Sequence, residues 1–150
     1  MQPSEEMLPF FANTQLKEHD SDYLIIKIDH HFEEETREKF SVFTSFKSFT
    51  VDHDEISLIV KSVEWENCKD GFPEYIQEGP FRLITFDIIL DLSLIGYLSV
   101  VTSVLADEGI SIFALSTYLR DHILIKKQDS VRALETLSTL IAESKMRMVE

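Results

Sequence analysis

The chain has 150 residues, 44% of them hydrophobic and 27% charged, which is the composition of a globular protein and the length of one ordinary domain or two very small ones. Its 27 Asp and Glu against 14 Lys and Arg leave a net charge of -13, which repels a phosphate backbone and disfavours a nucleic-acid partner. The single cysteine, Cys68, excludes an internal disulfide and a thiolate zinc site, and suits a reducing compartment.

The opening MQPSEEMLPFF carries acids where a secretory leader needs bases and an apolar run, so a cytoplasmic location is expected. Residues 1–22, with Pro3, Pro9 and mixed charge but no sustained period, read as a tail, either free or pinned by Leu8, Phe10 and Phe11. From Tyr23, YLIIKID is a strand pattern; HHFEEETREKF has apolar positions only at Phe32 and Phe40 and makes at best a short exposed helix. SVFTSFKSF favours a strand by its Phe, Thr and Val content, VDHD turns the chain, and EISLIVKSV completes a hairpin. Residues 64–80, punctuated by Gly71, Pro73, Gly79 and Pro80, read as a connector.

The second half is more regular. FRLITFDIIL is a strand, after which Asp91 or Ser93 can cap a helix whose Leu94, Leu98, Val101 and Leu105 share one face. Its uncharged run, Leu92 to Ala106, falls short of the roughly 20 apolar residues that span a membrane. Gly109 ends the helix, Ile110–Leu115 and HILIK are strands, and a helix from about Ser130 presents Val131, Leu134, Leu137 and Ile141. A final short strand, MRMV, completes the βαββαβ, ferredoxin-like order, with helices on one face of an antiparallel sheet. SVF recurs as SIF and LIVK as ILIK further along, so two related units are expected: an abbreviated one over 23–75 and a second over 76–150.

Glu78, Gly79, Pro80, Asp91, Ser93, Gly96, Leu105, Ala106, Gly109, Ile110, Ser111, Ser116, Thr117, Tyr118, Asp121, Ile123, Leu124 and Ile125 form one ordered pattern. It resembles the tandem ACT-domain proteins that include the CASTOR-type amino-acid sensors and their small bacterial relatives. The resemblance covers roughly 23–143 and implies an α+β fold of two ferredoxin-like ACT-type units. Leu119 and Arg120 depart from the acidic run found in the bacterial relatives, and a Gly-Trp pair is missing.

The resemblance implies that ligand binds where the DEGIS loop of one unit meets the STY-x-x-D strand end of an adjacent one. An α-amino acid needs backbone amides, a hydroxyl or carbonyl, and an acidic side chain. Gly109 would admit the backbone closely, Ile110 and Ser111 would offer main-chain groups, Thr117 a hydroxyl, Tyr118 a wall, and Asp107 and Asp121 negative charge. Each also has a plainer reading: Gly109 as helix terminator, Asp107 as a solvated helix-end acid, Asp121 as a turn residue, Thr117 as a ladder residue.

His30 and His31 beside Glu33–Glu35 are discounted as a metal site because adjacent side chains point apart in a regular helix or strand, and His53 between Asp52 and Asp54 reads as a polar turn. Cys68 lacks a paired histidine, Phe40, Phe43, Phe46 and Phe49 read as packing, and no nucleophile elbow, phosphate loop or zinc-protease motif occurs. The expectation is a non-catalytic sensor without cofactor that binds a small molecule, an amino acid first, as a homodimer acting on an unidentified effector protein. The alternative is a protein-interaction module with a vestigial pocket.

Overall fold

The computed structural model describes residues 1–150. The chain divides into two compact units, Met1–His19 with Arg82–Glu150, and Asp20–Phe81.

In the first, α1 (Leu8–Ala12) opens at Pro9, whose fixed φ suits the first helical turn. The unit then holds the start of β1 (Gln15–Asp29), the end of β4 (Tyr75–Asp87), α4 (Tyr97–Asp107), β5 (Ile112–Ser116), β6 (Asp121–Lys126) and α5 (Ser130–Met148). Its strands neighbour one another in the order β1-β4-β6-β5, and β5 pairs antiparallel with β6, Phe113 opposite Leu124 and Ser116 opposite Asp121. Alternation along the strands sends Ile84, Phe86, Ile123 and Ile125 into one core with Val101 and Leu105 of α4 and Leu137 of α5. Met7 and Phe11 join that core, and the Phe11 ring stacks on Tyr97 at 4.4 Å.

The expected tail is thus a helix and a strand, because Phe11 buries its ring in the core where an isolated tail would leave it in water. The MRMV segment is the last turn of α5, not a strand. The buried face of α5 is Ala133, Leu137, Leu140 and Ser144, one step round from the expected stripe, and Val131 is exposed. α4 begins only at Tyr97. Asp91 does not cap it but accepts Ser93 N at 2.8 Å, closing a turn within the 88–96 loop. The helix ends as expected: Gly109 has φ +71°, Ile110 N donates to Leu105 O at 3.0 Å and Gly109 N to Ala106 O at 2.9 Å, the paired bonds of a left-handed terminator.

The second unit holds the remainder of β1, α2 (Glu33–Phe40), β2 (Ser48–Val51), β3 (Glu55–Lys61), α3 (Ser62–Cys68) and the start of β4, with strand order β2-β3-β1-β4. β1 and β3 run antiparallel with Tyr23 opposite Lys61 and Asp29 opposite Glu55. Asp52 Oδ1 accepts Asp54 N and Glu55 N at 2.8 and 2.9 Å, which fixes the β2–β3 turn.

Two segments differ from expectation. The strand expected over 41–49 starts only at Ser48, because Phe43 turns inward against Trp65 and Phe72. The connector expected over 64–80 is instead the rest of α3, a 3-10 turn at Lys69–Gly71 and the opening of β4, and Trp65 of α3 is fully buried and donates Nε1 to Gln77 Oε1 at 3.0 Å. The Glu64 carboxylate accepts Thr44 N, Thr44 Oγ1 and Ser45 N at 2.9 to 3.1 Å. Its partial burial pushes the carboxyl up, and these bonds overcome that and hold it at about 2.

Candidate functional site

A cavity of about 260 Å³ opens in the first unit between the 90–99 segment and the β5–β6 turn. One wall is Leu90, Asp91, Leu92 and Leu94 with the first turn of α4; the other is Ser116 to Asp121. Gly96 precedes the helix at φ +99°, a conformation that other residues rarely adopt, and no side chain caps the turn that follows. The cavity therefore receives the N-terminal end of an 11-residue helix, where unsatisfied N–H groups and the helix dipole favour negative charge.

The opposite wall is braced internally. Thr117 N donates to Arg120 O at 2.9 Å, closing the turn, and Ser116 Oγ donates to the Asp121 carboxylate. Arg120 Nε donates to Asp87 Oδ1 at 2.9 Å, while Leu90 N donates to Leu119 O at 2.9 Å. Leu119 and Arg120 are thus what ties the turn to the end of β4 and the loop beyond it. Asp91 and Asp121 give the cavity acid, and its one cation, Arg120, is already engaged with Asp87.

Behind Thr117 a polar ladder crosses the strands. Thr117 Oγ1 lies 2.9 Å from His122 Nε2, His122 Nδ1 lies 2.9 Å from Thr85 Oγ1, and Thr85 Oγ1 lies 2.9 Å from His19 Nε2. His122 and Thr85 are buried, which makes these bonds obligatory partners in place of water. Burial pushes the His122 imidazole below its ordinary value; adjacent Asp121 opposes this and Arg120 adds to it.

Of the residues singled out in the sequence, Thr117, Tyr118 and Asp121 line the cavity. Asp107, Gly109, Ile110 and Ser111 do not: they sit between the end of α4 and the start of β5, with Ile110 buried and the other three exposed. The five residues of β5 separate the two groups, about 17 Å of extended chain. Gly109 has open space where a Cβ would stand. Asp91, Gly96, Tyr97 and Ser99 were not anticipated as lining residues; the readable signal was a glycine followed by a helix start without Ser, Thr, Asp or Asn at the cap.

The cavity lies wholly within residues 78–139, which match the family model of the ACT domain. An ACT domain is found in this segment. A comparison with curated proteins found no match. Among solved structures, a protein of unknown function from Vibrio cholerae, described as a possible transport protein, is similar at 16% identity. The likeness covers 91% of this chain and 97% of that one, with a TM-score of 0.71. A protein from Agrobacterium tumefaciens is similar at 23% identity over 85% of this chain and 89% of that one, TM-score 0.68. The ligand-free regulatory subunit of aspartate kinase from Thermus thermophilus is similar at 11% identity over 83% and 95%, TM-score 0.65. These likenesses concern the fold, which is α+β and ferredoxin-like. No helix is long and apolar enough to cross a membrane.

Proposed function

We propose that this chain is a regulatory protein that binds a small molecule, an amino acid first, and that it consists of two ACT-type βαββαβ units. The strand orders support the two-unit reading. With the start of β1 counted as its last strand, the first unit follows the ferredoxin-like order, and the second unit follows the same order in mirror listing.

The observation that carries the functional reading is the cavity itself, inside the ACT segment, with an uncapped helix start on one side and Asp121 on the other. An α-carboxylate placed at the first turn of α4 would accept its free N–H groups, and the α-ammonium would face Asp121 or Asp91. Tyr118, 77% exposed, would supply a wall that ligand covers. Asp107, Gly109, Ile110 and Ser111 would complete the site from a second copy of the chain, since β5, at the edge of its unit, cannot bring both groups together alone. Ligand would then bias subunit geometry through contacts that belong to both, and an effector protein would read the outcome.

The test is thermal unfolding against each of the twenty amino acids at millimolar concentration, with Asp121→Ala alongside. A ligand at a hundredfold its Kd stabilises by about 2.7 kcal/mol. A selective rise in Tm that Asp121→Ala abolishes is expected; a rise that persists in the variant removes Asp121 from the site. One observation favours the second reading, an interaction module: Leu92, Ile95 and Tyr118 at the cavity mouth and its loops are exposed apolar side chains, Ile95 at 88%. No shift with any amino acid would move the assignment there.

A further inference from the structure

Away from the cavity, the second unit gathers three of the chain's five histidines at one end of its strands. β1 ends at Asp29, and the next three residues, His30–Phe32, form a single 3-10 turn capped by Asp29, whose Oδ1 accepts His31 N at 2.9 Å. That tight turn overturns the reason for discounting the histidine pair. Adjacent side chains diverge in a regular helix or strand, but here the two rings stack with centroids 4.6 Å apart.

Both rings face the same carboxylate. His31 Nδ1 contacts Asp29 Oδ1, and His30 Nδ1 lies 3.7 Å from that oxygen. The three donor atoms all fall within 4.8 Å of one another. His53, carried on the β2–β3 turn that Asp52 fixes, stacks beside His30 with centroids 6.4 Å apart. The register that sets Asp29 opposite Glu55 is what brings this turn alongside the end of β1.

Two ligands on a metal with bonds of about 2.1 Å in tetrahedral geometry stand roughly 3.4 Å apart. The spacing of Asp29, His30 and His31 brackets that value, so modest side-chain rotations suffice to converge on one ion. We propose that Asp29, His30 and His31 form a binding site for a divalent transition-metal ion of the zinc class, with His53 as the fourth ligand from the facing turn. Imidazole and a single carboxylate select zinc, cobalt, nickel or copper over magnesium and calcium, which prefer oxygen alone. Asp52, Asp54 and Glu55 close by concentrate cations without being ligands. A bound ion would join the end of β1 to the β2–β3 turn, adding to the strand pairing and to the contact of His30 Nδ1 with Asp54 O at 3.3 Å.

The experiment is titration of the full chain, purified without a histidine tag, with cobalt and zinc chloride. Calorimetry follows affinity and stoichiometry, and the visible d–d absorption of cobalt reports its ligands. One equivalent per chain is expected, with a cobalt spectrum of low coordination number and a rise in Tm. Asp29→Asn and His31→Ala should each weaken binding at least tenfold, and His53→Ala should weaken it and shift the cobalt spectrum toward six-coordinate. All three positions are exposed, so the melting temperature without metal should stay unchanged and report that the variants fold. Glu34→Gln, on the neighbouring acidic helix, should bind as the parent does. Absence of stoichiometric binding below millimolar metal would overturn the site. So would binding that survives His31→Ala or falls equally with Glu34→Gln, since either describes diffuse attraction to acid.

Discussion

The Tyr97 phenol donates to the Thr14 hydroxyl across 2.7 Å, because the Thr14 proton is committed to Phe10 O at 2.6 Å. One bond therefore joins the segment after α1 to the first residue of the helix whose start faces the cavity. Burial raises the Tyr97 phenol far above its ordinary value; the Thr14 bond opposes this and the Asp121 charge adds to it, so the hydroxyl remains a donor at any physiological pH.

Removal of that bond should be felt less than removal of the ring stacked beside it. Tyr97→Phe is expected to cost about 1 kcal/mol, the net worth of one hydrogen bond. Phe11→Ala, at a position 1% exposed, is expected to cost about 3–5 kcal/mol through lost burial and the cavity left behind. Urea unfolding of both variants checks the ranking. A Phe11→Ala loss below that of Tyr97→Phe would show that α1 is not part of the core's cooperative unit.

Gly109 isolates a backbone effect. With φ at +71° and nothing within 4 Å of an added Cβ, Gly109→Ala should cost about 1 kcal/mol from backbone strain alone, and Gly109→Asn, which tolerates the left-handed region better, should cost less. Equal losses in the two variants, by thermal unfolding without ligand, would contradict a conformational origin.

His122 sets a pH dependence whose sign follows from its burial. The folded protein holds this imidazole below the ordinary value of 6.5, so between the two values the unfolded chain binds the extra proton. The stability it contributes is complete above about 6.5 and is lost as pH falls toward the folded value. Between pH 7.5 and pH 5 the urea midpoint of the parent should fall further than that of His122→Asn, which keeps a polar group in the ladder without the titration. Equal falls would mean that other groups carry the acid sensitivity.

What could be read in the sequence was what short-range pattern encodes. The Leu98, Val101, Leu105 stripe and the glycine that ends it gave α4 and its terminator, and the β-branched runs of β3, β4 and β6 were plain. The missing parts depend on distant partners. Nothing near Phe11 says that it will stack on Tyr97, and nothing in MRMV says that its place beside β4 is taken by Gln15–His19. α3 is seven residues long, barely two turns and too short for an apolar stripe to repeat, and is held by one buried indole. Phe43 offered strand propensity, yet it turns inward before β2 begins, because packing against Trp65 outweighs a weak local preference. In the cavity, Thr117, Tyr118 and Asp121 were legible as a motif, whereas Asp91 and Tyr97 carried the signals of a cap and a core face.

The division of the chain also sets an order of events during synthesis. Residues 20–81 are contiguous, so their unit has every strand it needs once β4 has begun to emerge. Residues 1–19 are made first but belong with residues 82–150, so Phe11 and Met7 must wait through more than a third of the chain's translation before their partners exist. Residues 1–19 are therefore made before residues 20–81 yet find their place after them, and during that interval their apolar side chains are exposed to whatever the nascent chain meets.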